Sequence, residues 1–136
     1  MVRLIMGQKG TGKTKQLITL IKEATEDAKG DLICLEKDTN LRHNIPHKAR
    51  LISLAQYNFG SYDFLQGFIS GLNASNYDTA HVFIDSLQKM VQSESEHELL
   101  QFLTWLERFG EREHIRFTIT YSADPGMLGE EFRRFL

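Results

Sequence analysis

Hydrophobic positions along this chain follow two different periods in turn. Residues 2–6 form a short apolar run that stops at Gly7, and residues 14–29 place Leu17, Leu20, Ile21, Ala24 and Ala28 at helical spacing. The pattern predicts a strand, a glycine loop and a helix. Residues 31–36 are apolar with almost no alternation, as in a strand covered on both faces, and so predict a parallel sheet with helices on each side. A further short strand is expected over residues 50–54. Ser61 is placed to cap a helix running to about residue 73, with Phe64, Leu65, Phe68, Ile69 and Leu72 on its buried face. Residues 81–85 read as a strand ending in a carboxylate. Ser93 and Glu96 have capping-box spacing ahead of Leu99, Leu100, Phe102, Leu103, Leu106 and Phe109, which predicts another helix. Residues 115–121 are the last expected strand, and beyond Pro125 a short helix is expected over residues 128–135. Strands alternating with helices imply an α/β fold, a three-layer sandwich around a mostly parallel sheet.

Composition narrows the picture to one soluble domain. The chain has 136 residues, 41% hydrophobic and 25% charged, an ordinary balance for a single core of this size. Sixteen basic and eighteen acidic side chains give a net charge of −2, which argues against coating nucleic acid or an acidic membrane. That balance is uneven along the chain. Residues 1–50 carry ten basic and six acidic side chains, whereas residues 51–100 carry Lys89 alone against six acids. A basic N-terminal region suits a bound polyphosphate. There is no leader pattern and no run near the roughly 18 apolar residues of a membrane span, so a cytoplasmic location is expected. Cys34, the single cysteine, lies in an apolar run and reads as a buried thiol with no disulfide.

Gly7-Gln8-Lys9-Gly10-Thr11-Gly12-Lys13-Thr14 fits G-x-x-x-x-G-K-[ST] at every fixed position, between a predicted strand and a predicted helix. The glycines let the backbone curl so that successive N–H groups point at phosphate oxygens. The unpaired donors at the following helix N-terminus face the same anion. Here the sequence resembles the P-loop NTPase superfamily. The resemblance implies a minimal P-loop NTPase core, with residues 1–136 as a single nucleotide-binding domain and Gly7 to Thr14 holding ATP. It puts the Lys13 ammonium on the β- and γ-phosphates and makes the Thr14 hydroxyl a ligand of Mg²⁺. Residues 80–85 resemble the superfamily's Walker B element, an apolar strand delivering Asp85 to the Mg²⁺ shell; an aspartate that merely starts the next turn is the plain alternative. At whole-chain scale the sequence also resembles small uncharacterised bacterial P-loop proteins, some labelled ATP-binding or twitching-motility proteins. Hexameric twitching ATPases have an added N-terminal domain and acidic and histidine-rich boxes, for which 136 residues offer no room, so the motility role is not carried over.

Departures from familiar patterns sharpen the chemistry. Asp85 is followed by Ser86, Leu87 and Gln88, and no Asn-Lys-x-Asp occurs, so the GTPase pattern is absent and ATP is preferred over GTP. Many ATP-hydrolysing members have a glutamate directly after the Walker B aspartate, where this chain has Ser86. Glu36 and Asp38, after the second strand, are the candidates for a base, Glu36 resembling in position the carboxylate that polarises an acceptor hydroxyl in nucleoside kinases. A solvated strand end is the plain alternative. Lys13, Asp85 and Glu36 are thus the catalytic candidates, and Thr14 and Asp85 the metal ones. Thr120 and Ser122 resemble in position a polar γ-phosphate sensor, with a plain strand end as the favoured alternative. Arg42 and Arg50 flank the loop containing Pro46, and Arg133 and Arg134 lie near the last residue; Arg108 and Arg112 have an R-x-x-x-R spacing resembling a nucleoside kinase lid, but lie in a helix whose other face is strongly apolar, where a solvated outer face is the favoured alternative. Pro46 between His43 and His47 argues against an aligned zinc pair. Trp105 reads as core or interface, with no aromatic and basic interleaving for nucleic acid. Three readings follow. The first is an Mg-ATP binding protein with slow or partner-dependent hydrolysis, a partner or second subunit completing the site. The others are a small-molecule or nucleoside kinase, and a nucleotide-responsive module without catalysis.

Overall fold

The apolar runs become strands and the segments of helical period become helices. In chain order these are β1 (Val2–Gly7), α1 (Lys13–Asp27), β2 (Asp31–Glu36), β3 (Ala49–Ser53), α2 (Tyr62–Ser75), β4 (Thr79–Asp85), α3 (Glu96–Glu113) and β5 (Arg116–Ser122). Short 3-10 segments cover Leu87–Lys89 and Glu130–Phe135, the second where a short helix is expected. The computed structural model describes residues 1–27, 29–38, 41–57, 60–124, 126 and 128–136. Ala28 and Pro125, used above as a helix position and a boundary, lie outside the described residues.

All five strands are parallel, in the order β1-β5-β4-β2-β3. Their C-terminal ends therefore share one edge, which is where ligands bind in such sheets. β5 lies between β1 and β4, so residues near its end stand between the glycine loop and Asp85. β2 lacks alternation because both its faces are covered. Ile33 and Leu35 join a core under α2 and α3, with Leu65, Ile69, Phe102, Leu106 and Phe117. Leu32 and Cys34 join a smaller one under α1, with Ile5, Leu17, Ile21 and Phe83. The Cys34 thiol is fully buried, and desolvation first, then Glu36, pushes it up to about 12. It is inert.

Two local expectations change. The buried stripe of α2 is Tyr62, Leu65 and Ile69, with Phe68 and Leu72 packed beside it, while Phe64 is 54% exposed at the edge of that stripe. The cap of α3 is Ser95, whose hydroxyl accepts from the Glu98 amide at 3.2 Å, not Ser93. Ser93 is already engaged: its hydroxyl accepts from the Ser95 amide and donates to the Glu98 carboxylate. The Ser-x-x-Glu pairing is thus displaced by two residues, to Ser95 and Glu98.

Candidate phosphate-binding site

The loop between β1 and α1 turns on two left-handed residues, Gly10 at φ +87° and Gly12 at φ +84°. A side chain at either would meet nothing within 4 Å, so conformation, and not crowding, requires glycine there. Thr11 Oγ1 donates to the Gln8 carbonyl at 2.8 Å, and Lys13 Nζ donates to the same carbonyl at 2.8 Å. The loop therefore holds its lysine across its own mouth. Burial lowers the Lys13 pKa, and Asp85 opposes that shift. The first turn of α1 carries no acidic residue of its own, so nothing within the helix offsets its positive end.

Asp85 is 3% exposed at the end of β4. Its Oδ1 accepts from Thr120 Oγ1 at 2.8 Å, and the Thr14 hydroxyl lies 3.3 and 3.4 Å from its two oxygens. Thr120 Oγ1 in turn accepts from the Ser86 amide at 2.7 Å. Thr120 is thus a clamp on the aspartate, a role that neither the sensor nor the plain strand-end reading contains. Ser122 pairs with Gln88, accepting from its Nε2 at 3.2 Å while the Ser122 amide donates to its Oε1 at 3.1 Å. Between the loop and the turn after β4 lies a cleft of about 570 Å³. Lys9, Lys13, Lys15 and Lys89 line it, and among the described residues no carboxylate does. Such a cleft attracts a polyanion.

Glu36 is paired in register with Asp85 and is 2% exposed. Its Oε2 accepts from the Leu41 amide at 2.8 Å, while Oε1 is buried without a partner among the described residues. Desolvation raises its pKa, the Leu41 bond counteracts this, and Asp85 and Asp38 add to the rise. Glu36 and Arg42 line a separate cavity of about 350 Å³ with Leu51 and Ser53, so Glu36 is beside the loop cleft and not on its wall. Asp38 is paired with Lys89. Arg108 and Arg112 are near the end of α3, which leads into the start of β5, and so stand at the opposite edge of the sheet from the loop. Arg134 is held by Glu107 at 3.5 Å and Thr104 at 3.1 Å, and Arg133 by Glu130 at 3.7 Å. Arg50 is exposed on β3, and Trp105 stacks on Phe109 with ring centroids 4.9 Å apart.

The oxygen donors at the loop are a hydroxyl and a buried carboxylate, the hard-donor type that suits Mg²⁺ when phosphates and water complete its shell. Thr14 and Asp85 fit that cation. Among the described residues no group of three or more His, Cys, Asp or Glu could hold a metal alone. Lys89 and Gln88 were not singled out from the sequence as site residues, although Lys89 is the sole basic residue of 51–100.

Compared by sequence, the chain matches no family model and no curated protein. Compared by structure, it is similar to a solved ATPase domain, at 12% identity and a TM-score of 0.60, over 92% of this chain and 58% of that one. It is also similar to the flagellar accessory protein FlaH from Methanocaldococcus jannaschii, at 15% identity and a TM-score of 0.59, over 98% of this chain and 65% of that one. The chain has the α/β fold of these proteins and spans less than two thirds of the length of each. No described helix is long and apolar enough to cross a membrane.

Proposed function

We propose that residues 1–136 form a single nucleotide-binding domain that binds Mg-ATP at Gly7 to Thr14 and hydrolyses it slowly until a partner or second subunit covers the site. The observation that carries this reading is the Thr14 hydroxyl against the buried Asp85 carboxylate, at the mouth of a loop with left-handed glycines. The amides of Gly10 to Thr14 cradle the β- and γ-phosphates, and Lys13 exchanges the Gln8 carbonyl for phosphate oxygen. Bound between Thr14 and Asp85, Mg²⁺ would neutralise charge on the two phosphates. Thr120 holds Asp85 in place through its Oδ1. Among the described residues no carboxylate lines the loop cleft, and Glu36 lines the separate cavity beside it, so no base stands at the attacking water until the site is covered. That, together with the open cleft, accounts for slow chemistry. ATP is preferred over GTP because the guanine motif is absent, and the whole-chain resemblance to small bacterial P-loop proteins fits a cytoplasmic ATP-binding protein without assigning a pathway. The kinase alternative takes Glu36 as base and Arg108 with Arg112 as lid, and the place of those arginines at the far edge of the sheet favours hydrolysis.

The test is a thermal-shift series with ATP, GTP, ADP and a non-hydrolysable ATP analogue, with and without Mg²⁺, followed by phosphate release. Stabilisation by ligand grows as RT ln(1 + [L]/Kd). Lys13→Ala is expected to weaken triphosphate binding at least about tenfold, the loss of one charge-assisted contact. Equal ATP affinity in the variant and the wild type overturns the assignment.

A further inference from the structure

Recognition of a triphosphate, as opposed to a diphosphate, needs positive charge beyond the loop lysine, because the γ-phosphoryl group carries charge on three oxygens. The arginines of this chain do not line the loop cleft. Lys89 does, on the wall facing the glycine loop. Its backbone is fixed: the Lys89 amide donates to the Ser86 carbonyl at 2.9 Å, and the neighbouring Leu87 is fully buried. Ser86 is tied through Thr120 to Asp85 and so to Thr14. The Lys89 side chain, by contrast, is 40% exposed and pairs with Asp38, itself 45% exposed, on the segment after β2. An ion pair so open to water is weak, and a triphosphate in the cleft outcompetes it.

We propose that Lys89 is a γ-phosphate reader in cis, exchanging Asp38 for the terminal phosphoryl group, so that a bound triphosphate releases Asp38. This rests on the Mg-ATP reading of the same cleft. The assignment makes the contact specific to the third phosphate, since the β-phosphate is already served by the loop amides and Lys13. It also makes Asp38 an internal competitor for the ligand.

The experiment measures affinities for ADP and for a non-hydrolysable ATP analogue, both with Mg²⁺, in wild type, Lys89→Gln, Lys89→Arg, Asp38→Asn and the Lys89→Gln/Asp38→Asn double variant. Lys89→Gln is expected to weaken analogue binding about five- to tenfold, the scale of one charge-assisted contact, with ADP affinity kept. Lys89→Arg should restore most of the difference. Asp38→Asn should tighten analogue binding alone, and only while Lys89 is present. Equal losses for ADP and the analogue in Lys89→Gln, or no loss for either, overturns the proposal while leaving nucleotide binding intact. A wild type that binds neither nucleotide removes the Mg-ATP reading itself, and the Lys89 role with it.

Discussion

Asp85 and Glu36 are neighbours across β4 and β2, both almost wholly buried, yet their surroundings differ in kind. Hydroxyls from Thr14 and Thr120 reach Asp85, whereas Glu36 has one oxygen on an amide and one without a partner among the described residues. Asp85→Asn is expected to reduce the Mg²⁺-dependent part of ATP binding about tenfold or more and to spare the metal-free part, since a neutral amide is a poor partner for the cation's shell. Titration of ATP with and without Mg²⁺ checks this; lost stability without ligand together with normal Mg²⁺ dependence would mark Asp85 as structural. For Glu36 the sign is set by its raised pKa in the folded chain. The unfolded glutamate ionises first as pH rises, so the cost of a buried charge is absent below about pH 4 and complete above the folded pKa. Glu36→Gln should therefore melt above wild type near pH 7, with the gap closing as pH falls toward about 4. A thermal-unfolding series across pH reads it.

At the scale of elements, α3 shows how packing overrides intrinsic preference. Glycine inside a helix is ordinarily worse than alanine by roughly 0.5–1 kcal/mol, so Gly110→Ala in isolation would stabilise. In the fold, an added Cβ at Gly110 would lie 2.5 Å from the Ile115 carbonyl oxygen and 3.4 Å from the Phe117 ring. The helix closes there: His114 is left-handed at φ 59°, and the Ile115 amide donates to the Gly110 carbonyl at 3.0 Å. Gly110→Ala should thus destabilise by about 1–3 kcal/mol, the usual range for overpacking. His114→Gly, which relieves a left-handed non-glycine residue, should stabilise by up to about 1 kcal/mol. Chemical denaturation of the two variants settles the direction, and stabilisation by Gly110→Ala would contradict the close packing of α3 on β5.

At the scale of the whole molecule, the cleft at the C-terminal sheet edge is open, and Glu36 is beside it and not on its wall. Phosphoryl transfer depends on exclusion of water and on charge placed around the γ-phosphate. Turnover per chain at saturating Mg-ATP should accordingly rise with protein concentration, or with an added partner, as association covers the cleft. Phosphate release followed together with association state tests this. Steady turnover of several per second from dilute monomer would show a site complete within one chain, with Glu36 and Asp38 the first residues to mutate.

The strand, loop and helix around Gly7 to Thr14 were legible from residues alone, because conformation there is a local property: two positions need positive φ, and a lysine and a threonine follow at fixed offsets. The apolar runs of β2 and β4 were legible for a similar reason, since covering on both faces removes alternation. The sequence by itself also determined that Asp85 ends a strand. It did not place β5 between β1 and β4, and that choice turns Thr120 into the clamp on Asp85. Nor did it separate Ser93 from Ser95 as the cap of α3, because both are serines at workable spacing and only the preceding turn occupies one of them. Lys89 meets Asp38 across 51 residues, and Arg108 and Arg112 are carried to the opposite edge by the direction of α3. Such pairings depend on strand order and helix direction, which are set by how the apolar faces stack together, and no local spacing encodes them.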